Sequence, residues 1–188
     1  MKAAVVLAGC GVMDGAEIHE AVMTLYAIDS NGGTYQLFAP NVMQHHVINP
    51  ITGDVMKESR NVLTEAARIA RGKIKALTEY RAADFDALIF PGGFGVAKNL
   101  CTYAFDGPEC HVDRVVEDAI RTTHKAGKPI GALCISPVLI TRVLGEVTVT
   151  IGSDHATAAD ISLLGGRHEN RRHGEVVIDR KNLIVTAA

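Results

Sequence analysis

The chain has 188 residues, of which 47% are hydrophobic and 21% charged, and its 19 basic and 21 acidic residues leave a formal net charge of −2. This length and composition suit one globular domain with a sizeable core. Aromatic residues make up only 5%, no basic block is visible, and no apolar run reaches the roughly 18 residues of a membrane span, so nucleic-acid and membrane partners are disfavoured.

Short apolar runs alternate with helical periods along the chain. The predicted elements are strand 2–9, a helix from Ile18, strand 34–40, an irregular segment 41–59, helix 59–72, strand 84–90, a helix through Val112 and Ile120, strand 129–133, helix 135–145, and strands 147–152, 175–179 and 183–187. A hairpin turn at 179–182 joins the last two strands. This alternation predicts a single α/β domain over 1–188, with a mostly parallel sheet and helices on both faces.

Three loops follow strands of this predicted sheet and carry unusual residues. They are GCGVMDGAEIHE at 9–20, FPGGFG at 90–95 and GALCISP at 131–137. Ligands of such sheets bind outside the carboxyl ends of the strands. Glycines let a backbone approach a ligand closely and direct N–H groups at it. The Lys-Ser/Thr of a P-loop does not follow the glycines at 92–95.

Cys134 stands where a predicted strand runs directly into a predicted helix. This is the position of a nucleophile in a strand–turn–helix elbow. The following helix N-terminus predicts a stabilised thiolate and a lowered pKa for Cys134. The N–H of Ile135, with that of Gly93 or Phe94, would form an oxyanion hole. The alternative is a core cysteine, since cysteine is one of the most buried residue types.

Glu17 allows two interpretations that are compatible with each other. Asp14 followed three residues later by Glu17 fits a helix N-cap with its capping-box acid. In the functional interpretation, the Glu17 carboxylate projects from the first helical turn into the pocket.

The segments GCGVMDGAEIHEAV, FPGGFGVAKNL, CHVD and GKPIGALCISP together resemble the ElbB-like branch of the PfpI superfamily. These are the isoprenoid-biosynthesis amidotransferase-like proteins, with a class I glutamine-amidotransferase-like fold. The resemblance runs from residue 1 to about residue 187. It implies a flavodoxin-like three-layer sandwich, a homodimer and no bound cofactor. It also implies that a C-terminal helix found in relatives is missing after residue 188.

The resemblance further implies that Cys134 is the elbow cysteine and Glu17 the acid beside it. The activity it implies is that of a glyoxalase-like lyase, which converts small 2-oxoaldehydes to 2-hydroxy acids. Cys134 would form a hemithioacetal with the aldehyde, and Glu17 would move the proton between carbons through an enediolate.

Two other functions use the same cysteine. One is a non-catalytic, redox-sensing stress protein with an oxidisable Cys134. The other is a glutamine amidotransferase-like subunit, in which HGE at 173–175 would supply the His-x-Glu of a triad; its distance from Cys134 along the chain is short for that pattern. Ile135 stands where protease relatives carry histidine, which argues against peptidase chemistry.

His155 follows the predicted strand 147–152, and we weigh a pocket histidine against a surface-loop histidine there. The acids near it have no diagnostic metal spacing, so no metal is expected.

The four cysteines form no C-x-x-C pair, which favours reduced thiols in a cytoplasmic compartment. Cys101 and Cys110 flank a loop near the expected pocket, where they would either pack or oxidise.

Overall fold

The computed structural model describes residues 1–188 and is built on one sheet of seven strands. The strands are β1 (Lys2–Val6), β2 (Thr34–Ala39), β3 (Ile74–Ala76), β4 (Ala87–Phe90), β5 (Ile130–Leu133), β8 (Val176–Asp179) and β9 (Ile184–Ala187). Their order is β3-β2-β1-β4-β5-β9-β8, with all neighbours parallel except β8 and β9. Two short strands, β6 (Thr148–Val149) and β7 (Arg167–His168), pair outside this sheet.

Six α-helices connect the strands: α1 (Ile18–Ser30), α2 (Val62–Ala70), α3 (Tyr103–Asp106), α4 (Arg114–Lys125), α5 (Ser136–Leu144) and α6 (His155–Leu163). A π-helical turn covers Val96–Leu100. Side chains cap several helix starts; Asp113, for example, accepts hydrogen bonds from the first turn of α4. None of the helices combines the length and apolar character needed to cross a bilayer.

The sheet lies between two layers of helices because successive residues of β1 face opposite sides. Ala3 and Val5 belong to a buried cluster of 11 residues that includes residues of α1 and α2. Ala4 and Val6 belong to a cluster of 24 residues that includes residues of α4 and α5. The predicted flavodoxin-like three-layer sandwich is confirmed.

The main correction to the predicted strands concerns segment 147–152. Only Thr148–Val149 is a strand there, and its partner is β7 rather than the central sheet. The N–H of Thr150 donates to the side-chain hydroxyl of Thr186 at 2.9 Å, so the segment contacts β9 through a side chain and not through a ladder. The predicted hairpin between β8 and β9 is confirmed, and the N–H of Asn182 donates to Asp179 at 3.0 Å within it.

Candidate active site

The three glycine- and cysteine-containing loops meet at one edge of the sheet. β1, β4 and β5 are parallel neighbours, so the loops after them open on the same side. The N–H of Glu17 donates to the carbonyl of Gly92 at 2.9 Å. The buried hydroxyl of Ser136 donates to the carbonyl of Pro91 at 2.9 Å. These bonds join the loop after β4 to the starts of both α1 and α5.

Cys134 forms the turn between β5 and α5 with a φ of 54°. Residues other than glycine rarely adopt this left-handed conformation, and such strain concentrates at functional sites. The N–H of Cys134 donates to the carbonyl of Ala187 in β9 at 2.9 Å, which holds the turn in place. The residue is exposed, so it does not fill the core. A strained strand-to-helix turn whose cysteine borders a cavity has the geometry of the predicted elbow.

The sulfur lies in a small and largely apolar cavity of about 180 Å³. The lining residues are Val12, Gly93, Phe94, Cys134, Ile135, Ile151, Asp154 and Thr157. Pockets for drug-sized ligands measure roughly 300–1,000 Å³, so this one suits a smaller molecule. No Lys or Arg lines it.

The carboxyl group beside the sulfur is that of Glu20. A Cβ added at Gly92 would lie 2.5 Å from Cys134 Cβ and 2.7 Å from Glu20 Oε2, so the two side chains are neighbours. The N–H of Gly92 donates to Glu20 Oε2 at 2.7 Å. The acid that the structure places beside Cys134 is thus one helical turn further along α1 than the predicted Glu17.

The start of α1 explains this shift. Glu17 is the N-cap of α1, and its carboxylate accepts from the N–H of Glu20 at 2.6 Å and interacts with the His19 ring at 2.8 Å. Asp14, the cap predicted from sequence, instead accepts from the N–H of Ile48 at 2.7 Å. The helix thus begins three residues later than its capping pattern indicates, and the acid of its first turn is Glu20.

The pKa values of Glu17 and Glu20 are shifted in opposite directions from that of an ordinary glutamate. Burial and the neighbouring Glu17 charge raise the pKa of Glu20, although the Gly92 N–H opposes them. Partial burial also raises the pKa of Glu17, but hydrogen bonds from the Glu20 N–H and His19 outweigh it and the net pKa is lowered. Compared with an ordinary glutamate, Glu17 therefore favours the charged form and Glu20 favours the protonated form.

Burial, followed by the Glu20 charge, raises the pKa of the Cys134 thiol, and the N–H groups of Gly93 and Ile135 oppose this shift. The predicted lowering of this pKa is wrong, because the desolvated sulfur also faces a carboxylate. The Glu20 charge thus acts directly on the titration of the Cys134 thiol.

Gly93 and Ile135 supply the backbone donors near the sulfur. The N–H of Phe94 donates instead to the carbonyl of Val12 at 2.7 Å, so the predicted alternative of a Phe94 donor is wrong, although its side chain lines the cavity. His155 is exposed and absent from the lining. Asp154, the N-cap of α6, and Thr157 in its first turn line the cavity instead.

Replacing Gly92 with alanine is expected to disrupt the site. An added Cβ would lie 2.5 Å from Cys134 Cβ and 2.7 Å from Glu20 Oε2. Overpacking of this kind costs about 1–3 kcal/mol of unfolding free energy, measurable by urea denaturation. Gly131→Ala is the matched control, since its Cβ would lie 3.5 Å from Ile89 in ordinary contact. Equal stability of the two variants would contradict the close approach at Gly92.

No group of three or more His, Cys, Asp or Glu side chains is placed to hold a metal ion. The fold and the elbow define an α/β sandwich of the amidotransferase-like, PfpI and DJ-1 class. Drosophila melanogaster DJ-1beta shares this fold with a TM-score of 0.59 at 16% identity, over 99% of this chain and 80% of that one. No protein-family model matches the chain.

Relatives of higher identity narrow the class to a family. Human glutamine amidotransferase-like class 1 domain-containing protein 3, mitochondrial, is 49% identical over 98% of this chain and 73% of its own length. An isoprenoid biosynthesis protein with an amidotransferase-like domain from Ehrlichia chaffeensis superposes with a TM-score of 0.93 at 38% identity, over 100% of this chain and 86% of that one. The chain belongs to this family of glutamine amidotransferase-like class 1 proteins.

Proposed function

We propose that the protein is a cofactor-independent, glyoxalase-like lyase that converts small 2-oxoaldehydes, such as glyoxal and methylglyoxal, to 2-hydroxy acids. The observation that carries this proposal is the Glu20 carboxyl group beside Cys134, whose side chain lines a small cavity. A thiol with a positioned carboxylate base is the arrangement that nucleophilic catalysis on a carbonyl requires.

In the first step, the sulfur of Cys134 bonds to the aldehyde carbon of the substrate while Glu20 takes the thiol proton. Glu20 passes this proton to the aldehyde oxygen, which gives a neutral hemithioacetal and restores the carboxylate. The N–H groups of Gly93 and Ile135 stabilise the negative charge that develops on that oxygen.

In the second step, Glu20 removes the hydrogen from the former aldehyde carbon as a proton; the electron pair forms a C=C bond and the neighbouring carbonyl oxygen takes the negative charge, which gives an enediolate. Glu20 returns the proton to the neighbouring carbon, while the hydroxyl proton on the sulfur-bearing carbon moves to the negatively charged oxygen. The sulfur-bearing carbon thereby becomes a carbonyl, and the product is a thioester of the 2-hydroxy acid on Cys134. Water then cleaves the thioester, releasing the acid and restoring the thiol. The raised pKa of Glu20 suits these transfers, because a base titrating nearer the working pH both accepts and returns a proton.

The cavity wall favours a small uncharged substrate. It lacks basic side chains, and Asp154 is among its lining residues, so anions gain no paired charge on entering. This gives no support to an isoprenoid diphosphate as the ligand, although the Ehrlichia chaffeensis relative is named for isoprenoid biosynthesis.

The two alternative functions have less support from the site. The thiolate is the form of cysteine that oxidises and attacks, and the pKa of Cys134 is raised; the lyase has Glu20 to take the thiol proton during the attack, whereas a sensor would need the thiolate at rest. An amidotransferase needs histidine at the sulfur, whereas His173 acts on Glu20 and is not among the main groups acting on Cys134.

The proposal also covers the cellular compartment of the protein and its oligomeric state. Four unpaired cysteines support a reducing compartment such as the cytoplasm, while the names of the human, rat and zebrafish relatives include the word mitochondrial. We also propose a homodimer, which light scattering coupled to size-exclusion chromatography measures directly.

Product analysis tests the reaction. Methylglyoxal incubated with the protein in deuterated water without glutathione should give lactate that carries deuterium at carbon 2, because the proton on Glu20 exchanges with solvent. Lactate formed no faster than without protein would rule out the activity. Lactate without deuterium would rule out the enediol step through Glu20.

A further inference from the structure

Two exposed apolar side chains form part of the wall of the cavity that Cys134 lines. Val12 is 47% exposed and Phe94 is 49% exposed. Single exposed apolar residues are ordinary on a protein surface, but neighbouring ones at a cavity indicate a surface that binds a ligand. The proposed reaction uses the Cys134 sulfur, Glu20 and two backbone N–H groups, and it gives neither of these apolar side chains a role.

Hydrogen bonds between two loops hold these side chains at the cavity. The N–H of Phe94 donates to the carbonyl of Val12 at 2.7 Å, which joins the loop after β4 to the loop after β1. Lys98 Nζ donates to the carbonyl of Met13 at 2.8 Å and lies 5.7 Å from the centroid of the Phe94 ring. Because these contacts fix the apolar surface, little further ordering is needed when a ligand binds to it.

The rest of the cavity wall is also mostly apolar. Ile135 and Ile151 add two further apolar side chains, and the polar side chains besides Cys134 are Asp154 and Thr157. Asp154 accepts from the N–H of Thr157 at 2.8 Å as the N-cap of α6. The carbonyl carbon that the sulfur attacks must lie at Cys134. The remainder of a substrate therefore contacts apolar side chains.

We propose that Val12 and Phe94 bind the substituent of the substrate, so that the protein prefers 2-oxoaldehydes with an ethyl or propyl group in place of the methyl group of methylglyoxal. This inference rests on the proposed lyase function, whose substrate class it narrows. Each methylene buried against this wall should raise kcat/KM about fourfold, from the transfer free energy of one CH₂ group. The gain should appear mainly in KM, because the substituent makes the same contacts in the ground and transition states.

Steady-state kinetics on methylglyoxal, ethylglyoxal and propylglyoxal test this preference. The value of kcat/KM should rise along the series in the wild type, and Phe94→Ala and Val12→Ala should each reduce the rise. Phe94→Leu keeps an apolar side chain and should retain more of the rise than Phe94→Ala.

Val22→Ala and Phe105→Ala are the matched controls for the loss of an exposed apolar side chain. Val22 is 47% exposed and Phe105 is 43% exposed, but neither lines the cavity, so both variants should keep the full rise. A wild-type series without a rise, or a rise that Phe94→Ala leaves intact, would overturn the proposal.

Alkylation of Cys134 separates this proposal from the lyase activity, since labelling needs no turnover. The rates at which N-methyl, N-ethyl and N-propyl iodoacetamide label the Cys134 peptide are each divided by the rate with free glutathione. This ratio should increase with the length of the alkyl chain in the wild type, and increase less in Phe94→Ala. An increasing ratio without acid formation from any aldehyde would contradict the lyase activity but support the apolar binding site. Acid formation with a constant ratio would contradict the apolar binding site alone.

Discussion

Replacing Cys134 with alanine is expected to reduce lactate formation from methylglyoxal to the rate measured without protein. Every step of the proposed reaction passes through a bond to this sulfur, so Glu20 alone has no covalent intermediate on which to act. The residue is exposed at the rim of the cavity, and alanine keeps the backbone substituent of the turn. The unfolding free energy should therefore change by no more than about 0.5 kcal/mol.

Cys10→Ala is the control for the loss of a thiol. Cys10 is partly buried near Glu65 and Arg68 and is not among the residues lining the cavity, so this variant should retain wild-type activity. Activity that survives in Cys134→Ala, measured as lactate by chiral chromatography, would show that the reaction does not use the elbow.

Replacing Glu20 with glutamine is expected to lower kcat/KM for methylglyoxal by about 10²–10⁴-fold, the usual contribution of a positioned general base. Glutamine retains the acceptor for the Gly92 N–H but cannot take a proton. Glu17→Gln is the matched control: it removes a carboxylate from the same helix start, yet Glu17 caps α1 and does not face the sulfur. Its effect should fall mainly on stability.

Replacing the two glutamates should change the free energy of unfolding at pH 7 in opposite directions. The folded-state pKa of Glu20 is raised. Its contribution to stability is therefore lost as the pH rises from the ordinary pKa of a glutamate through the raised pKa of Glu20. Glu20→Gln should therefore be at least as stable as the wild type at pH 7. The pKa of Glu17 is lowered, so Glu17→Gln should be destabilised at pH 7. Urea titrations of both variants measure this, and the reverse order would contradict the assignment.

The fold and the position of Cys134 follow from local patterns. The apolar runs at β1, β4 and β5, each followed by a loop with Gly or Cys, are enough to predict three loops at one edge of a parallel sheet. The turn at Cys134 is predictable because no residue separates strand from helix except the cysteine and its neighbour.

Two features of the site depend on contacts between distant segments: the identity of the acid beside Cys134, and the part of the cavity wall formed by Asp154 and Thr157. Asp14 and Glu17 satisfy a capping pattern. However, the Asp14 carboxylate accepts a hydrogen bond from the N–H of Ile48. Because this non-local bond occupies Asp14, the helix starts one turn later. This part of the cavity wall lies at the start of α6, where Asp154 caps the helix by accepting from the N–H of Thr157 at 2.8 Å. Sequence alone does not show that this cap, rather than His155, borders the cavity.

The pH dependence of Cys134 alkylation tests the central claim, that the Glu20 carboxylate acts on this sulfur, without relying on turnover. Iodoacetamide labelling of the Cys134 peptide, followed by mass spectrometry, gives the thiol pKa in each variant. The Glu20 charge raises this pKa, so Glu20→Gln should lower it, and Glu17→Gln should leave it close to that of the wild type. A pKa unchanged by Glu20→Gln and lowered by Glu17→Gln would contradict the account.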